Sequence, residues 1–316
     1  MFKYTLDNKR YHTLNYYLKN KFNDKVIKIS LNGNFTCPNI DGTKGYGGCI
    51  YCSKSGSGEH GGNPNKDLTT QFNEVREVIE KKWSSNKYIA YFQARTNTYA
   101  PLNVLKEKYE EVLKIDNVIG LFIATRCDAI TKETLDYLEE LNKRTFLVIE
   151  LGLQTIHEST SKLINRGHSY LEFINGLNVS DKIKKKLRDR NINVVVHIIN
   201  GLPYETEEMM LDTVKHLNNL DIQGIKIHML NICKDTPIET LYNKEHFHIL
   251  TKEEYIDIVI KQLELLREEI VIHRITSDPD KDSLIEPTWL LKKFCLLNDI
   301  DKEMKKRDTY QGKYTK

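Results

Sequence analysis

Three cysteines within sixteen residues are the part of this sequence best suited to chemistry. They are Cys37, Cys49 and Cys52, with eleven residues between the first two and a Cys-x-x-Cys pair at the end. Thiolates are soft metal ligands, and three of them suit a 4Fe–4S cluster that keeps one iron free for another ligand. The spacing therefore makes an iron–sulfur centre one candidate for this stretch.

Other chemistry fits the same cysteines. A structural zinc site normally has four ligands, and the fourth would be His60 or a distant cysteine. A thioredoxin-like redox pair would use Cys49 and Cys52 and leave Cys37 without a role. A disulfide is disfavoured, because the sequence shows no secretory signal. The ligand chemistry by itself does not decide between the iron–sulfur centre, the zinc site and the redox pair.

The cysteines lie in a long loop that follows a predicted strand at residues 26–31. The loop runs from residue 35 to about residue 65 and is rich in glycine. Long ordered loops in compact domains are usually functional, and glycine lets the backbone approach a bound group and aim N–H donors at it. A cluster whose sulfurs need amide donors requires such a loop.

The rest of the chain alternates between short apolar runs and segments with helical periodicity. Strands are predicted at residues 26–31, 88–93, 120–125, 145–152, 193–199 and 224–230. Helices are predicted near residues 68–83, 101–112, 131–141, 170–190, 206–217 and 251–267, whereas residues 1–23 show no clear period. Continuous apolar strands indicate burial on both faces, hence a parallel sheet covered by helices. We expect an α/β fold, a six-stranded partial barrel over residues 1–250, with a helical extension at residues 251–316.

Polar residues collect at the ends of five successive predicted strands. They are Gln93 and Asn97, Thr125 and Arg126, Glu150 and Gln154, His197 and Asn200, and His228 and Asn231. The carboxyl ends of parallel strands meet at one side of such a sheet, where ligands bind. These residues and the cysteine loop therefore predict a shared pocket.

Composition restricts the setting of the protein. The formal net charge is +3, with seven Lys/Arg against two acids in residues 1–29 and six against three in residues 301–316. Basic ends of this kind are either solvated termini or a phosphate-contacting surface. No apolar run approaches the ~20 residues that span a bilayer, and the amino-terminal stretch lacks the apolar segment of a signal peptide. We expect a cytoplasmic protein with no membrane partner.

Several stretches together carry a resemblance to a known family. They are the three-cysteine loop and residues 91–101, 123–126, 150–155, 201–206 and 310–313. The chain resembles the radical S-adenosylmethionine (SAM) superfamily, and more narrowly the branch of the Elongator catalytic subunit and small bacterial proteins of the YhcC and YtqA type. That branch shares the eleven-residue gap between the first two cysteines. The resemblance implies a partial (β/α)6 TIM-like barrel of the radical SAM type.

The resemblance also implies roles for individual residues. Cys37, Cys49 and Cys52 would hold a 4Fe–4S cluster and form the catalytic centre, with SAM on the fourth iron. Tyr51 would lie against the adenine, Gln93 would receive the methionine amino group, and Glu150 fits the ribose-binding position. The other expected cofactor contacts are Thr125, Arg126, Gln154, His197 and Asn200, and the substrate candidates are Arg95, Asn97, Tyr99 and His228. Cys127, Cys233 and Cys295 are expected to be ordinary buried thiols.

The implied activity is reductive cleavage of SAM to a 5′-deoxyadenosyl radical. The implied target is the 5-position side chain of the wobble (2-thio)uridine of tRNA, on the carboxymethylaminomethyl-to-aminomethyl route. Partners would be tRNA and a reductant such as flavodoxin or ferredoxin. Two alternatives remain: a radical SAM enzyme acting on a small metabolite or protein side chain, and a zinc-stabilised RNA-binding module without catalysis.

Overall fold

A curled parallel sheet organises the molecule. The computed structural model describes residues 2–5, 9–56, 58–59, 61–178 and 192–315. Within these residues seven strands form the main sheet, in the order β1-β2-β3-β4-β5-β6-β8, and every neighbouring pair is parallel. The strands are β1 (Ile27–Leu31), β2 (Tyr88–Phe92), β3 (Val118–Thr125), β4 (Phe146–Gln154), β5 (Asn193–Asn200), β6 (Gly224–Met229) and β8 (Val271–Arg274). The six predicted strands are confirmed, and the sheet forms a half-barrel.

The seventh strand, β8, was not predicted. It lies beyond residue 250, in the part expected to be a helical extension, and it pairs with β6. Its four residues end in His273 and Arg274, so the apolar run is too short to stand out in the sequence. A separate antiparallel pair is formed by β7 (Ile232–Cys233) and β9 (Leu284–Glu286). The boundary at residue 250 stays a prediction.

Helices join the strands as the periodicity predicts. In the described residues they span Leu14–Phe22, Leu68–Glu80, Leu102–Leu113, Lys132–Asn142, Glu158–Leu163, Tyr170–Asn178, Glu207–Leu217, Pro237–Glu245, Lys252–Leu265 and Lys293–Lys306. The predicted capping box is present, with Thr251 and Glu254 each accepting a backbone N–H of the other. The helix predicted over 170–190 is described as far as Asn178, and residues 179–191 lie outside the described part. None of the described helices combines the length and apolar character of a membrane span.

The concave side of the sheet changes character along its height. One group of buried apolar side chains, which includes Ile89, Phe122, Val148 and Val195, packs against helix Leu14–Phe22. This helix, capped by Thr13, lies in the stretch 1–23, for which the sequence predicts an irregular or partly helical lead-in. Strand side chains alternate between the two faces, so residues two positions further along the same strands point to the same concave side. At these later positions on the concave side, polar residues replace the apolar ones.

A carboxy-terminal segment fastens the two ends of the chain to the sheet edge. Gln311 is fully buried, and its side-chain oxygen accepts the backbone N–H of His12 at 2.8 Å. Its amide donates to the carbonyls of Arg267 and Ile270, both at 2.8 Å. Thr13 in turn forms a bridge with Ile272 of β8. The lead-in, β8 and the chain end therefore form one hydrogen-bonded unit.

Candidate active site

A cavity of about 530 Å³ opens at the carboxyl ends of the strands, and all three clustered cysteines line it. The same cavity is lined by residues from β2, β3, β4, β5 and β6, so it is the shared pocket that the sequence predicts. In the described part of the chain no group of three His, Cys, Asp or Glu side chains converges as the ligands of one metal ion. The three thiols thus surround a common space without meeting at a single point.

Backbone hydrogen bonds fix the cysteine loop in place. The carbonyl of Cys37 accepts the N–H of Ile40 at 2.9 Å, and the carbonyl of Cys49 accepts that of Cys52 at 3.0 Å. Between the last two cysteines, Ile50 donates its N–H to Ile164 and accepts one from Ile238, each at 3.0 Å. The loop is therefore anchored to the segment after β4 and to helix Pro237–Glu245.

Asn39 is a buried polar residue at the centre of this loop. Its amide nitrogen lies 3.8 Å from the Cys49 sulfur and also donates to the carbonyl of Asn165. The Asn39 Oδ1 atom has no hydrogen-bond partner among the described atoms, and it packs against Gly167. Gly167 has φ +78°, and a Cβ there would lie 2.3 Å from Oδ1. Glycine is therefore needed at this contact for both its backbone and its size.

The thiols of Cys49 and Cys52 interact directly. A hydrogen bond from Cys52 lowers the pKa of Cys49 to about 7, and the same bond raises the pKa of Cys52. One thiol of the pair is thus easily ionised, which favours it as a metal ligand because metals bind the thiolate form. The charge of Arg126 contributes to the lowered pKa of Cys49.

Two buried arginines border the cavity beside the cysteines. Arg126 makes a two-point ion pair with Asp128, with both N–O distances 2.9 Å, and donates to the carbonyl of Arg166 at 2.7 Å. Arg166 donates to the carbonyls of Leu153, Thr155 and His168, whereas its Nη2 is buried without a partner in the described part of the structure. Positive charge near the thiols favours their ionised form.

Glu150 is the centre of a buried polar network in the barrel interior. The side chain is fully buried, and its Oε2 accepts from Lys226 at 2.5 Å and from His197 at 3.0 Å. Burial alone would raise the pKa of this carboxyl, but the charge of Lys226 and the bond from His197 hold it well below its usual value. Lys226 also donates to the hydroxyl of Tyr91 at 2.9 Å. Burial lowers the pKa of His197 to about 4, so this ring is neutral at pH 7.

The structure gathers most of the predicted site residues around the cavity. Those that line it are Cys37, Cys49, Tyr51, Cys52, Gln93, Arg95, Thr125, Arg126, Glu150, Gln154, His197 and His228.

Three predicted residues are used elsewhere. Asn200 forms two hydrogen bonds of 2.8 Å with Gln262 on helix Lys252–Leu265. Asn97 donates its amide to the carbonyl of Ala124 at 2.7 Å and to that of Phe92, linking the ends of β2 and β3. The hydroxyl of Tyr99 lies 2.7 Å from that of Thr43 in the cysteine loop. None of the three lines the cavity.

Other residues of the site were missed by sequence reasoning. Lys226, which pairs with Glu150, stands in the middle of an apolar strand, and that position is a signal that could have found it. Arg166 and His168 had no comparable signal, because they follow a short helix in an irregular segment. The prediction that the remaining thiols are buried is confirmed for Cys127 and wrong for Cys295, which is exposed, whereas Cys233 is only half-buried. His60, the possible fourth zinc ligand, lies outside the described residues.

Family models cover most of the chain. The model described as the radical SAM superfamily matches residues 46–217, and the radical SAM C-terminal domain model matches residues 222–306. YtqA of Bacillus subtilis is 48% identical over 99% of this chain and 95% of its own length. The chain belongs to the radical SAM superfamily. Membership identifies the chain as a radical SAM enzyme. Enzymes of this family use a 4Fe–4S cluster and SAM and need a reductant. The alternative of a zinc-stabilised RNA-binding module without catalysis is therefore not supported.

More distant radical SAM proteins share the fold. The archaeal Elp3 from Methanocaldococcus infernus, solved with an amino-terminal deletion, superposes with a TM-score of 0.67 at 17% identity. The match covers 90% of this chain and 64% of that chain. A protein named tRNA uridine(34) acetyltransferase from the same organism is 26% identical over 54% of this chain and 31% of its own length.

The residues present fit the family's cluster and SAM. The donor set at the cavity is three thiols, which suits iron–sulfur ligation, and the loop is rich in backbone amides. The partnerless Arg166 Nη2 shows that the cavity wall has hydrogen-bonding capacity that no described residue uses. The cavity of about 530 Å³ is within the usual range for small-molecule and cofactor pockets.

Proposed function

We propose that this chain is a radical SAM enzyme that modifies the 5-position side chain of the wobble uridine of tRNA. When bound, the cluster and SAM supply a 5′-deoxyadenosyl radical, which takes a hydrogen atom from an unreactive C–H group. The observation that carries the proposal is the cavity, in which the three thiols and the polar strand ends face one space at the open end of the half-barrel. The similarity to a tRNA uridine(34) acetyltransferase supports tRNA as the substrate class.

Most of the predicted residues that line the cavity have a part in this proposal. Cys37, Cys49 and Cys52 would bind three irons of the cluster. Tyr51 and Gln93 would contact the adenosine and methionine parts of SAM. The neighbouring polar residues would complete the SAM site and the substrate site; they are Arg95, Thr125, Arg126, Gln154, His197 and His228. Asn97, Tyr99 and Asn200 would act by holding strand ends and the cysteine loop.

The basic chain ends give this proposal little support. Lys3 pairs with Glu268 at 3.1 Å, Lys9 pairs with Asp301, and Arg10 pairs with Asp308 at 2.8 Å. These cations fasten the lead-in to the carboxy-terminal segment, and their charge is offset locally. The proposal therefore depends on the cavity and on the relatives, and it does not require a basic RNA-binding tail.

A two-stage assay tests the proposal. The protein is reconstituted without oxygen, reduced and mixed with SAM, and 5′-deoxyadenosine is measured by chromatography with and without tRNA that carries carboxymethylaminomethyl-2-thiouridine. The tRNA nucleosides are then analysed by mass spectrometry. We expect cleavage that tRNA accelerates, together with an altered wobble nucleoside.

Matched cysteine variants control the assay. Cys52→Ala should abolish cleavage and the visible absorbance of the cluster, whereas Cys295→Ala removes an exposed thiol and should leave both unchanged. If 5′-deoxyadenosine forms but tRNA neither accelerates it nor changes, the RNA substrate is wrong, and a small metabolite or a protein side chain takes its place.

A further inference from the structure

The barrel interior holds more positive than negative charge. Lys28 on β1, Lys226 on β6 and Arg274 on β8 belong to one electrostatic cluster around Glu150. The ammonium groups of Lys28 and Lys226 lie 4.9 Å and 4.4 Å from the centre of the Tyr91 ring. Lys226 is paired with Glu150, whereas the side chains of Lys28 and Arg274 make no ion pair or hydrogen bond with any other described residue.

The histidine rings around the cluster carry no charge at pH 7. Burial lowers the pKa of His197 and His273 to about 4 and holds the pKa of His228 well below its usual value, so all three are neutral at pH 7. Burial also lowers the pKa of Lys28 and brings that of Lys226 to about 7. Lys28 and Arg274 are half-buried cations without a carboxylate partner in the described structure, and their partial loss of hydration favours an added anion beside them.

A second cavity extends from Arg274 toward the cysteines. Its volume is about 630 Å³, and Arg274 lines it. It shares Tyr51, Gln93 and His228 with the cysteine cavity. A molecule held near the cysteines can therefore extend a short arm toward Arg274.

Acidic residues lie toward the outer part of the second cavity. Asp278 is neutralised by Lys293 at 2.6 Å, and Glu59 accepts hydrogen bonds from Ser53 and Ser55. Asp280 accepts the backbone N–H of Ser283, and Glu74 pairs with Lys66. Asp278 and Glu74 are thus balanced by lysines, whereas Glu59 and Asp280 keep their charge; none of the four forms an ion pair with Lys28, Lys226 or Arg274.

We propose that Lys28, Lys226 and Arg274 form a binding site for a carboxylate carried by the substrate. This inference rests on the proposed function. Arginine presents two parallel N–H donors that match a carboxylate, and the lysines add point charges from two other strands. A backbone phosphate belongs to a polymer that cannot enter the interior, whereas a carboxylate at the tip of a base side chain can.

The site would separate substrate from product on the proposed route. A carboxymethylaminomethyl group carries a carboxylate, and an aminomethyl group carries only an ammonium. Lys226 is already paired with Glu150, so the uncompensated charge of the cluster is that of Lys28 and Arg274, which attracts the carboxylate and repels the ammonium. The same residues would therefore promote both substrate recognition and product release.

The test compares acid and amide substrates on charge-removing variants. Lys28→Met and Arg274→Gln are studied because they remove an unpaired charge and leave the Lys226–Glu150 pair intact. Lys143→Met is the matched control, since Lys143 is exposed at the turn before β4, at the opposite end of the sheet. The ligand is an anticodon stem-loop with carboxymethylaminomethyluridine, or the same RNA with its carboxylate converted to an amide, and the dissociation constant of the reconstituted holoenzyme is measured by anisotropy.

We expect each interior variant to weaken binding of the acid at least about tenfold, the effect of one charge-assisted hydrogen bond. Binding of the amide and of SAM should change less than about twofold, and Lys143→Met should alter nothing selectively. Equal loss for acid and amide, or a loss confined to SAM affinity, overturns the proposal.

A probe independent of RNA separates this proposal from the proposed function. Acetate and inorganic phosphate are added at equal ionic strength, and the thermal midpoint of the wild-type holoenzyme is compared with that of Arg274→Gln. Stabilisation by acetate that Arg274→Gln loses supports the carboxylate site even if no RNA is bound or modified. Greater stabilisation by phosphate, or none by either anion, contradicts it.

Discussion

Replacing Glu150 by glutamine should destabilise the protein by an amount that depends on pH. The carboxylate is fully buried and paired with Lys226, which is itself buried. Removing one partner of a buried ion pair costs about 3–5 kcal/mol, because the remaining charge has neither a counterion nor water. Here the remaining charge also lies near Lys28 and Arg274, so we expect the upper part of that range at pH 6.

The cost should decrease as the pH rises. Burial already lowers the pKa of Lys226 to about 7, and losing Glu150 lowers it further, whereas an unfolded lysine has a pKa near 10.4. Between the folded pKa of the variant and that of wild type, near 7, only the folded variant has released the Lys226 proton, so the free energy of unfolding of the variant rises with pH relative to wild type. Above about pH 7 both folded forms have released it and their stabilities rise together. The difference between wild type and Glu150→Gln should therefore shrink from pH 6 to pH 7.5 and stay nearly constant from there to pH 9.

The assay is urea unfolding of the reconstituted protein followed by circular dichroism at pH 6, 7.5 and 9. The control is the double variant Glu150→Gln/Lys226→Met, in which both charges are gone. Replacing a buried pair by residues of similar volume is often nearly neutral, so the double variant should recover most of the lost stability at all three pH values. A loss below about 1 kcal/mol for the single variant at pH 6, or a double variant no better than it, would refute the buried-pair argument.

Two further perturbations address the cysteine loop and the interior histidines. Gly167→Ala should lower the free energy of unfolding by about 1–3 kcal/mol and reduce the amount of iron bound after reconstitution, because the added Cβ would collide with Asn39 at a positive φ. The control is Gly47→Ala, which has a similar φ of +77° but no atom within 4 Å of the added Cβ. It should show only the cost of backbone strain. The free energy of unfolding should fall as the pH is lowered from 6.5 to 4. Burial lowers the pKa of His197 and His273 to about 4, so over this interval the unfolded chain binds protons that the folded chain does not. Each ring should contribute a loss of about 3 kcal/mol. The free energy of unfolding of His197→Gln should depend less steeply on pH over that interval. An unchanged slope would contradict the conclusion that His197 is neutral in the folded protein.

The six long strands could be predicted because each is a continuous apolar run, and continuous runs are typical of buried parallel strands. β8 could not be predicted, since its position depends on pairing with β6 across two intervening helices, Pro237–Glu245 and Lys252–Leu265. Helix Leu14–Phe22 had no clear period because it is packed at the end of the barrel, against residues of several strands. Its position follows from tertiary contacts that a local pattern does not contain.

The candidate site shows the same division. The cysteines and His197 could be found from residue type and position at strand ends. Asn200 was expected beside His197, but the two are three positions apart on one strand and so point to opposite faces. The alternation rule would have corrected this prediction. The Lys226–Glu150 pair joins two strands that are not neighbours in the sheet, and the curvature that brings them together is not visible in either segment.

The hydrogen bond between Gln311 and His12 has a consequence for biosynthesis. It joins positions 299 residues apart, and it supplies the acceptor for the buried backbone N–H of His12. Ribosomes add about 5–20 residues each second, so the amino-terminal lead-in waits tens of seconds or less for its partner to emerge. Until then the N–H of His12 and the carbonyls of Arg267 and Ile270, next to β8, lack this partner, and unpaired backbone groups at a sheet edge are prone to associate with other chains. Completion of this hydrogen-bonded unit therefore waits until residue 311 has left the ribosome.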